Sequence, residues 1–234
     1  MISIQSSIFG YKEPILQVES LEIESGSLTA LIGKNGSGKS TFLKTICGIL
    51  PTLKGNVIVG KKEISQCNEK ERSQLVAFVG SSQLAIPYLS VKEFVLLGRS
   101  PHTGILGRYN SEDNHLADQM LLLFHLEHLK YRELAELSDG ERQLAAFARA
   151  FAQETPVILM DEPTAFLDYG NKRLLLKTLK NATEELSKSV LLSTHDIDLC
   201  VEERIGILGI NAGQKQMIFL PQGTTKEEML QHFF

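Results

Sequence analysis

Leu28-Thr-Ala-Leu-Ile-Gly-Lys-Asn-Gly-Ser-Gly-Lys-Ser40 leads from a nearly unbroken apolar run, through a glycine-rich turn, into a pattern that predicts a helix over 39–49. From Gly33 to Ser40 every position of G-x-x-x-x-G-K-[ST] is satisfied, with a strand before it and a helix after it, as the motif requires. The glycines let the backbone curl until successive N–H groups point inward, and the helix dipole adds positive potential at the same place. This makes Gly33, Asn35, Gly36, Ser37, Gly38, Lys39, Ser40 and Thr41 candidate phosphate-binding residues. Lys39 is expected to reach the β- and γ-phosphates of a nucleotide, and the Ser40 hydroxyl to be a ligand for Mg²⁺.

Outward from that loop, short β-type runs alternate with helical ones, the pattern of an α/β fold. Strands are expected at 28–32, 56–59, 75–79, 157–160, 190–193 and 205–208. Three of them (28–32, 157–160 and 190–193) are almost wholly apolar, as central parallel strands buried on both faces must be. Residues 17–24 alternate in twos and predict an antiparallel strand with one wet face. From Ser90 to Leu137 the patterns are helical. Ser90-Val-Lys-Glu93 has the capping-box form, and a helix over 112–127 would align Leu116, Met120, Leu123 and Phe124. A strand at 216–220 and a short helix after Thr225 complete the expected elements. Residues 1–234 are expected to form one domain, with a helical subdomain at about 88–153 inserted in the α/β core.

A chain of 234 residues with 43% hydrophobic content can bury a substantial core. Its formal net charge of -4, with acidic and basic residues interspersed, lacks the basic footprint of a nucleic-acid binder. No apolar run approaches the ~20 residues of a membrane-spanning helix, and the N-terminus lacks a signal-peptide succession. A soluble, intracellular protein is expected. Cys47, Cys67 and Cys200 are odd in number, widely spaced and without metal-ligand spacing, and read as reduced thiols, with Cys47 packed in a helix.

Two carboxylates, Asp161 and Glu162, end the apolar run Val157-Ile-Leu-Met160, at the strand edge where α/β sheets bind ligands. Asp161 is placed to hold Mg²⁺ through water. Glu162 is placed to orient or deprotonate an attacking water, a role typically worth ~10²- to 10⁴-fold in rate. Between the phosphate loop and this pair stands Leu137-Ser-Asp-Gly-Glu-Arg-Gln143. It resembles the signature motif of the ABC ATPases. Ser138 and Gly140, at a helix start, can offer a hydroxyl and backbone amides to a γ-phosphate. Ser138-x-x-Glu141 is equally a capping box.

The resemblance extends from Tyr11 to about Leu208 and implies a P-loop NTPase core with a mostly parallel sheet, an N-terminal antiparallel β part and a helical subdomain. It places Tyr11 on the adenine. Gln83 stands for the Q-loop glutamine, which contacts Mg²⁺ or water and senses the membrane subunit. Asp168 corresponds to the D-loop aspartate that bridges two subunits, and otherwise reads as a helix N-cap. His195, in Ser193-Thr-His-Asp196, matches the switch histidine that touches the γ-phosphate. The family's commonest signature has glycine at Asp139 and glutamine at Glu141. Carboxylates are unfavourable near a phosphate, so both side chains are expected to point away from it.

What the resemblance implies is ATP hydrolysis in a two-fold dimer, in which Ser138, Gly140 and Glu141 of one subunit complete the partner's ATP site. It further implies permease subunits in the membrane, a periplasmic or surface solute-binding protein acting through them, and a place on the cytoplasmic face of the cell membrane. Leu97-Gly-Arg-Ser-Pro-His-Thr-Gly104 resembles the matching segment in ATPases of importers for iron-siderophores, haem and cobalamin. Other solutes, or a soluble ABC ATPase without a transport role, remain open. A guanine-reading N-K-x-D is not supplied by Asn171-Lys172, which Arg173-Leu174 follows.

Overall fold

The computed structural model describes residues 1–81, 86–104, 107–165, 167–211, 213–220 and 227. Its organising element is one ten-stranded sheet, ordered β5-β4-β1-β2-β10-β9-β3-β8-β7-β6. The strands are β1 Ile2–Gly10, β2 Pro14–Ile23, β3 Leu28–Gly33, β4 Lys54–Val59, β5 Lys62–Glu63, β6 Val76–Val79, β7 Val157–Asp161, β8 Ser189–Ser193, β9 Gly206–Asn211 and β10 Gln216–Leu220. The run β9-β3-β8-β7-β6 is parallel throughout, whereas β1 pairs antiparallel with both β2 and β4, and β10 antiparallel with β9.

The apolar runs at 28–32, 157–160 and 190–193 form β3, β7 and β8, every residue of which is buried. Period-two alternation sends their side chains into two cores. Ala30, Ile32, Ile158, Met160, Val190 and Leu192 pack on one face, and Leu31, Val157, Leu159 and Leu191 on the other. The second core is completed by Phe42, Leu43 and Ile46 of helix α1 (Lys39–Ile46) and by the antiparallel strands. Phe9 meets Phe42 edge-on at 4.9 Å between ring centroids. Helix α1 stops at Ile46, short of the expected Ile49, because Gly48 adopts φ 73 and the N–H groups of Gly48 and Ile49 turn back to Thr45 and Lys44.

Helix α2 (Glu69–Leu75) precedes β6, and between β6 and β7 lie α3 (Val91–Leu96), α4 (Ser111–Leu123) and α5 (Asp139–Ala152). Phe94, Met120, Leu121, Phe124, Phe147 and Phe151 join them to the first core. The Ser90 capping box is present. Along α4 the buried side is Asp113, Ala117, Met120 and Leu121, so the expected stripe is rotated and Leu116 and Leu123 are only half-buried. A carboxylate belongs to the buried side because Asp113 Oδ1 accepts from Arg99 Nε at 3.0 Å, both residues being buried. Arg99 Nη1 also donates to Ala152 O and to Glu154, tying the 97–102 turn to the end of α5. After β7 come α6 (Tyr169–Glu185), then β8, and α7 (Ile197–Glu202) before β9. Among the described residues, no helix is long and apolar enough to cross a membrane.

Candidate functional site

Three loops leave the C-terminal ends of the adjacent strands β3, β8 and β7 and meet. The first carries the phosphate cradle. Gly36 and Gly38 have φ 77 and 102, a region that side chains rarely adopt. A Cβ on Gly33 would stand 2.6 Å from Ser37 Oγ, and one on Gly38 would stand 2.8 Å from Ile15 Cγ2. A side chain at Gly36 or Gly38 would strain the backbone, and one at Gly33 or Gly38 would crowd its neighbours. Helix α1 has neither a side-chain cap nor an acidic residue in its first turn, whereas α2, α3, α4 and α5 each carry a capping box. Its N-terminus offers backbone donors and positive potential to an anion. A pocket of about 190 Å³ opens there, lined by Ile15, Asn35, Gly36, Gly38, Lys39, Ser40, Thr41 and Glu162.

Lys39 is buried, and Nζ donates to Gly33 O at 2.8 Å across the loop it belongs to. Burial pulls its ammonium below the ordinary lysine range, while the attraction of Glu162 and Asp161 opposes that shift. Ser37 Oγ is buried without a hydrogen-bond partner. An orphaned hydroxyl beside open helix amides and a buried ammonium fits a bound polyphosphate, which would supply the missing acceptors.

The second and third loops carry the carboxylates and the histidine. Asp161 ends β7 in register with Ser193 of β8, whose hydroxyl donates to Asp161 Oδ1 at 2.6 Å. Ser193 Oγ in turn accepts the Glu162 N–H at 2.8 Å. Glu162 has φ 50 and presents Oε1 to His195 Nε2 at 3.0 Å, while Lys39 Nζ stands 3.4 Å from that nitrogen. Lys39, Asp161, Glu162 and His195 thus form one cluster at the pocket mouth. An ion held by the Ser40 hydroxyl, Asp161 and nucleotide phosphates suits this donor set, since Mg²⁺ is commonly held by one or two carboxylates plus phosphates. Among the described residues no group of three or more His, Cys, Asp or Glu side chains converges as a metal cage.

A separate cavity of about 350 Å³ gathers Ser138, Asp139, Gly140 and Glu141 with Leu167, Asp168 and Leu174. No residue lines both pockets. Glu141 turns back on its own helix, Oε2 accepting from Ser138 N at 2.8 Å and from Ser138 Oγ at 2.7 Å, which holds its carboxyl below the usual range. Asp139 pairs with Arg142. Both extra carboxylates are engaged at the start of α5, and both line this cavity. Asp168 caps α6, its two oxygens accepting from Asn171 N and Nδ2.

Tyr11 is exposed in the turn between β1 and β2 and does not line the phosphate pocket, where Ile15 does. Gln83 and the helix expected after Thr225 lie outside the described residues. Two polar groups went unanticipated. One is Ser193. The other is Asp196, which accepts from Thr164 at 3.0 Å and from Lys172 at 2.8 Å and so joins the histidine loop to α6. A polar residue closing an apolar strand, as Ser193 closes 190–192, is the signal that could have found the first.

Residues 16–165 match the family described as ABC transporter. The chain is 33% identical over 235 residues to the petrobactin import ATP-binding protein FpuC of Bacillus anthracis, covering 100% of this chain and 86% of that protein. It is 34% identical over 199 residues to the iron(3+)-hydroxamate import ATP-binding protein FhuC of Bacillus subtilis, covering 84% and 74%. A metal-chelate-type ABC transporter in an inward-facing conformation superposes with a TM-score of 0.81 at 31% identity, covering 99% of this chain and 88% of that one. A dimeric ATP-binding cassette in a post-hydrolysis state, bound to ADP and Pi, superposes with a TM-score of 0.78 at 26% identity, covering 96% and 100%.

Proposed function

The chain belongs to the ABC transporter family as one of its ATP-hydrolysing subunits, and from that premise we propose that it drives an importer for an iron chelate or a related cargo. In this reading two copies sandwich two ATP molecules, each copy lending its Ser138 and Gly140 face to the phosphate pocket of the other. The observation that carries the reading is the separation of the two pockets within one chain, which leaves each half without its complement. The relative solved with ADP and Pi as a dimer supports the same arrangement.

Each residue then has a defined task. The amides of the 33–41 loop and Lys39 bind the β- and γ-phosphates. Ser40 and Asp161 would hold Mg²⁺, which when bound neutralises charge developing on the transferred phosphoryl group. Glu162 orients the attacking water and accepts its proton, and His195 holds the Glu162 carboxylate on one side while facing the γ-phosphate on the other. Closure is favoured because the γ-phosphate gains the partner's Ser138 hydroxyl and Gly140 amide, and hydrolysis removes that gain and reopens the pair. Permease subunits are expected to dock on the helical part near Gln83 and carry the motion across the membrane. The ATPase itself would stay on the cytoplasmic face.

The iron-chelate cargo is supported by the relatives, among them the petrobactin, ferric hydroxamate and achromobactin transport proteins. Deleting the gene in its host and measuring uptake of radiolabelled ferric siderophores under iron limitation tests it. Loss of uptake, restored by the wild-type chain and not by Glu162→Gln, is expected. Unimpaired uptake of every ferric chelate and of haem and cobalamin would refute the cargo. Wild-type ATP hydrolysis by Ser138→Arg in the reconstituted transporter would refute the shared site.

A further inference from the structure

We propose that Ser193 is a positioning residue for ATP hydrolysis, one hydroxyl that aims the Asp161 carboxylate and anchors the backbone of Glu162 together. The proposal rests on the roles given above to Asp161 and Glu162. Ser193 is fully buried at the end of β8, directly opposite Asp161 in the parallel ladder. A buried hydroxyl needs partners, and a serine has one proton to give and lone pairs to receive. Here the proton goes to Asp161 Oδ1 at 2.6 Å, the short length of a charge-assisted bond, and a lone pair receives the Glu162 N–H at 2.8 Å.

Both partners need that hydroxyl. The β7 ladder ends at Asp161, so the Glu162 N–H lies beyond the sheet, and Glu162 takes φ 50, a conformation that costs a side-chain-bearing residue free energy unless its surroundings impose it. The bond to Ser193 supplies such a constraint. With Oδ1 held, the plane of the Asp161 carboxylate is fixed, and with it the direction in which the other oxygen presents its lone pairs. Two residues further on, His195 meets the Glu162 side chain at 3.0 Å. The end of strand β8 and the loop after it therefore grip Glu162 by its backbone and by its carboxylate, and neither an apolar side chain nor a pure donor or acceptor at 193 could bind both Asp161 and the Glu162 N–H.

The test compares wild type, Ser193→Ala, Ser193→Thr and Glu162→Gln as purified full-length protein. It reads ATP affinity without divalent ion, turnover, and Mn²⁺ affinity by electron paramagnetic resonance in the presence of a non-hydrolysable ATP analogue, with thermal melting to establish that each variant is folded. Ser193→Ala is expected to keep its ion-free ATP affinity, to lose about 10- to 100-fold in kcat and to bind Mn²⁺ several-fold more weakly, as when a group supporting a metal ligand is removed. Ser193→Thr, which keeps the hydroxyl, should recover most of both losses. Wild-type kcat and Mn²⁺ affinity in Ser193→Ala would overturn the proposal, and so would a folded Ser193→Thr no better than the alanine variant. If Glu162→Gln hydrolyses ATP normally, the role given to Glu162 falls. If Glu162→Gln is dead and Ser193→Ala unimpaired, only the role of Ser193 falls.

Discussion

Glu162 Oε1 lies 3.0 Å from Nε2 of His195, and that same nitrogen lies 3.4 Å from Lys39 Nζ. One imidazole nitrogen cannot donate to the carboxylate and accept from the ammonium at once, so the two contacts compete for a single tautomer. A γ-phosphate that draws Lys39 away leaves Nε2 to Glu162.

Glu162→Gln keeps the shape of the side chain and removes its ability to take a proton. It should bind ATP as wild type does, lose about 10²- to 10⁴-fold in turnover, and accumulate as an ATP-bound dimer. Size-exclusion chromatography with light scattering, with and without ATP, checks the dimer, and a steady-state phosphate-release assay checks the rate. Substantial residual hydrolysis would contradict the role given to Glu162.

Ser138→Arg puts a long cation into the cavity shared by Gly140, Leu167 and Asp168, none of which lines the chain's own phosphate pocket. ATP binding by the variant alone should be unchanged while hydrolysis is lost. A one-to-one mixture with Lys39→Ala should recover part of the activity, because one intact composite site can form between the two variants. Activity in Ser138→Arg alone equal to wild type would count against a shared site.

The Arg99–Asp113 pair is buried on both sides, and Glu154 makes a further, half-exposed contact. Removing one buried partner strands the other, so Arg99→Met should cost about 3 kcal/mol in urea unfolding, the lower end for such pairs because Glu154 is wet. Hydrogen bonds from the Asn110 backbone and Arg99 depress the Asp113 carboxyl, against the opposing effect of burial. A depressed carboxyl stabilises the fold above its unfolded value of about 4, and that stability is lost as pH falls through the folded value. Asp113→Asn should therefore be less stable at pH 7 and show a shallower acid limb than wild type.

Burial pushes the Cys47 thiol up to about 11 and the Cys200 thiol up to about 12. At pH 8 only about one Cys47 thiol in a thousand is ionised, and the thiolate is the reactive form. Iodoacetamide at pH 8 should leave both unmodified in the native protein on a timescale that labels them fully in guanidinium. Mass spectrometry of the labelled peptides decides it.

The strands that carry the chemistry were legible because burial on both faces forces an unbroken apolar run, as in 157–160 and 190–193. Strand β1 escaped notice for a definite reason. Ile2 and Ile4 are buried, then the parity changes to Ser7 and Phe9, because the pairing with β4 slips between Gln5 and Ile8 and Ser6 takes φ 45. A bulge of this kind erases period-two alternation. Helix α4 was expected to run to Glu127 because nothing in its composition announces an end at Leu123. His125, not glycine, adopts φ 59, and Leu126 N donates to Leu121 O at 2.7 Å to close the helix. Residue types at the phosphate loop, Asp161, Glu162 and His195 could be read in order, but the hydroxyl of Ser193 gains its meaning only from the register of two strands 32 positions apart in the chain.

Strands β6 and β7 are hydrogen-bonded neighbours, yet the chain travels from residue 80 to residue 156 through every helix of the α3–α5 region to get from one to the other. The excursion leaves from the C-terminal end of β6 and returns at the N-terminal end of β7, and the parallel pairing of the two strands fixes both points. Its length and surface can therefore change without moving either strand, much as a tool head can be exchanged on a fixed shank. Natural variation in what the protein docks with should concentrate in this excursion, and swapping it between relatives is the most direct way to redirect the same motor to another carrier.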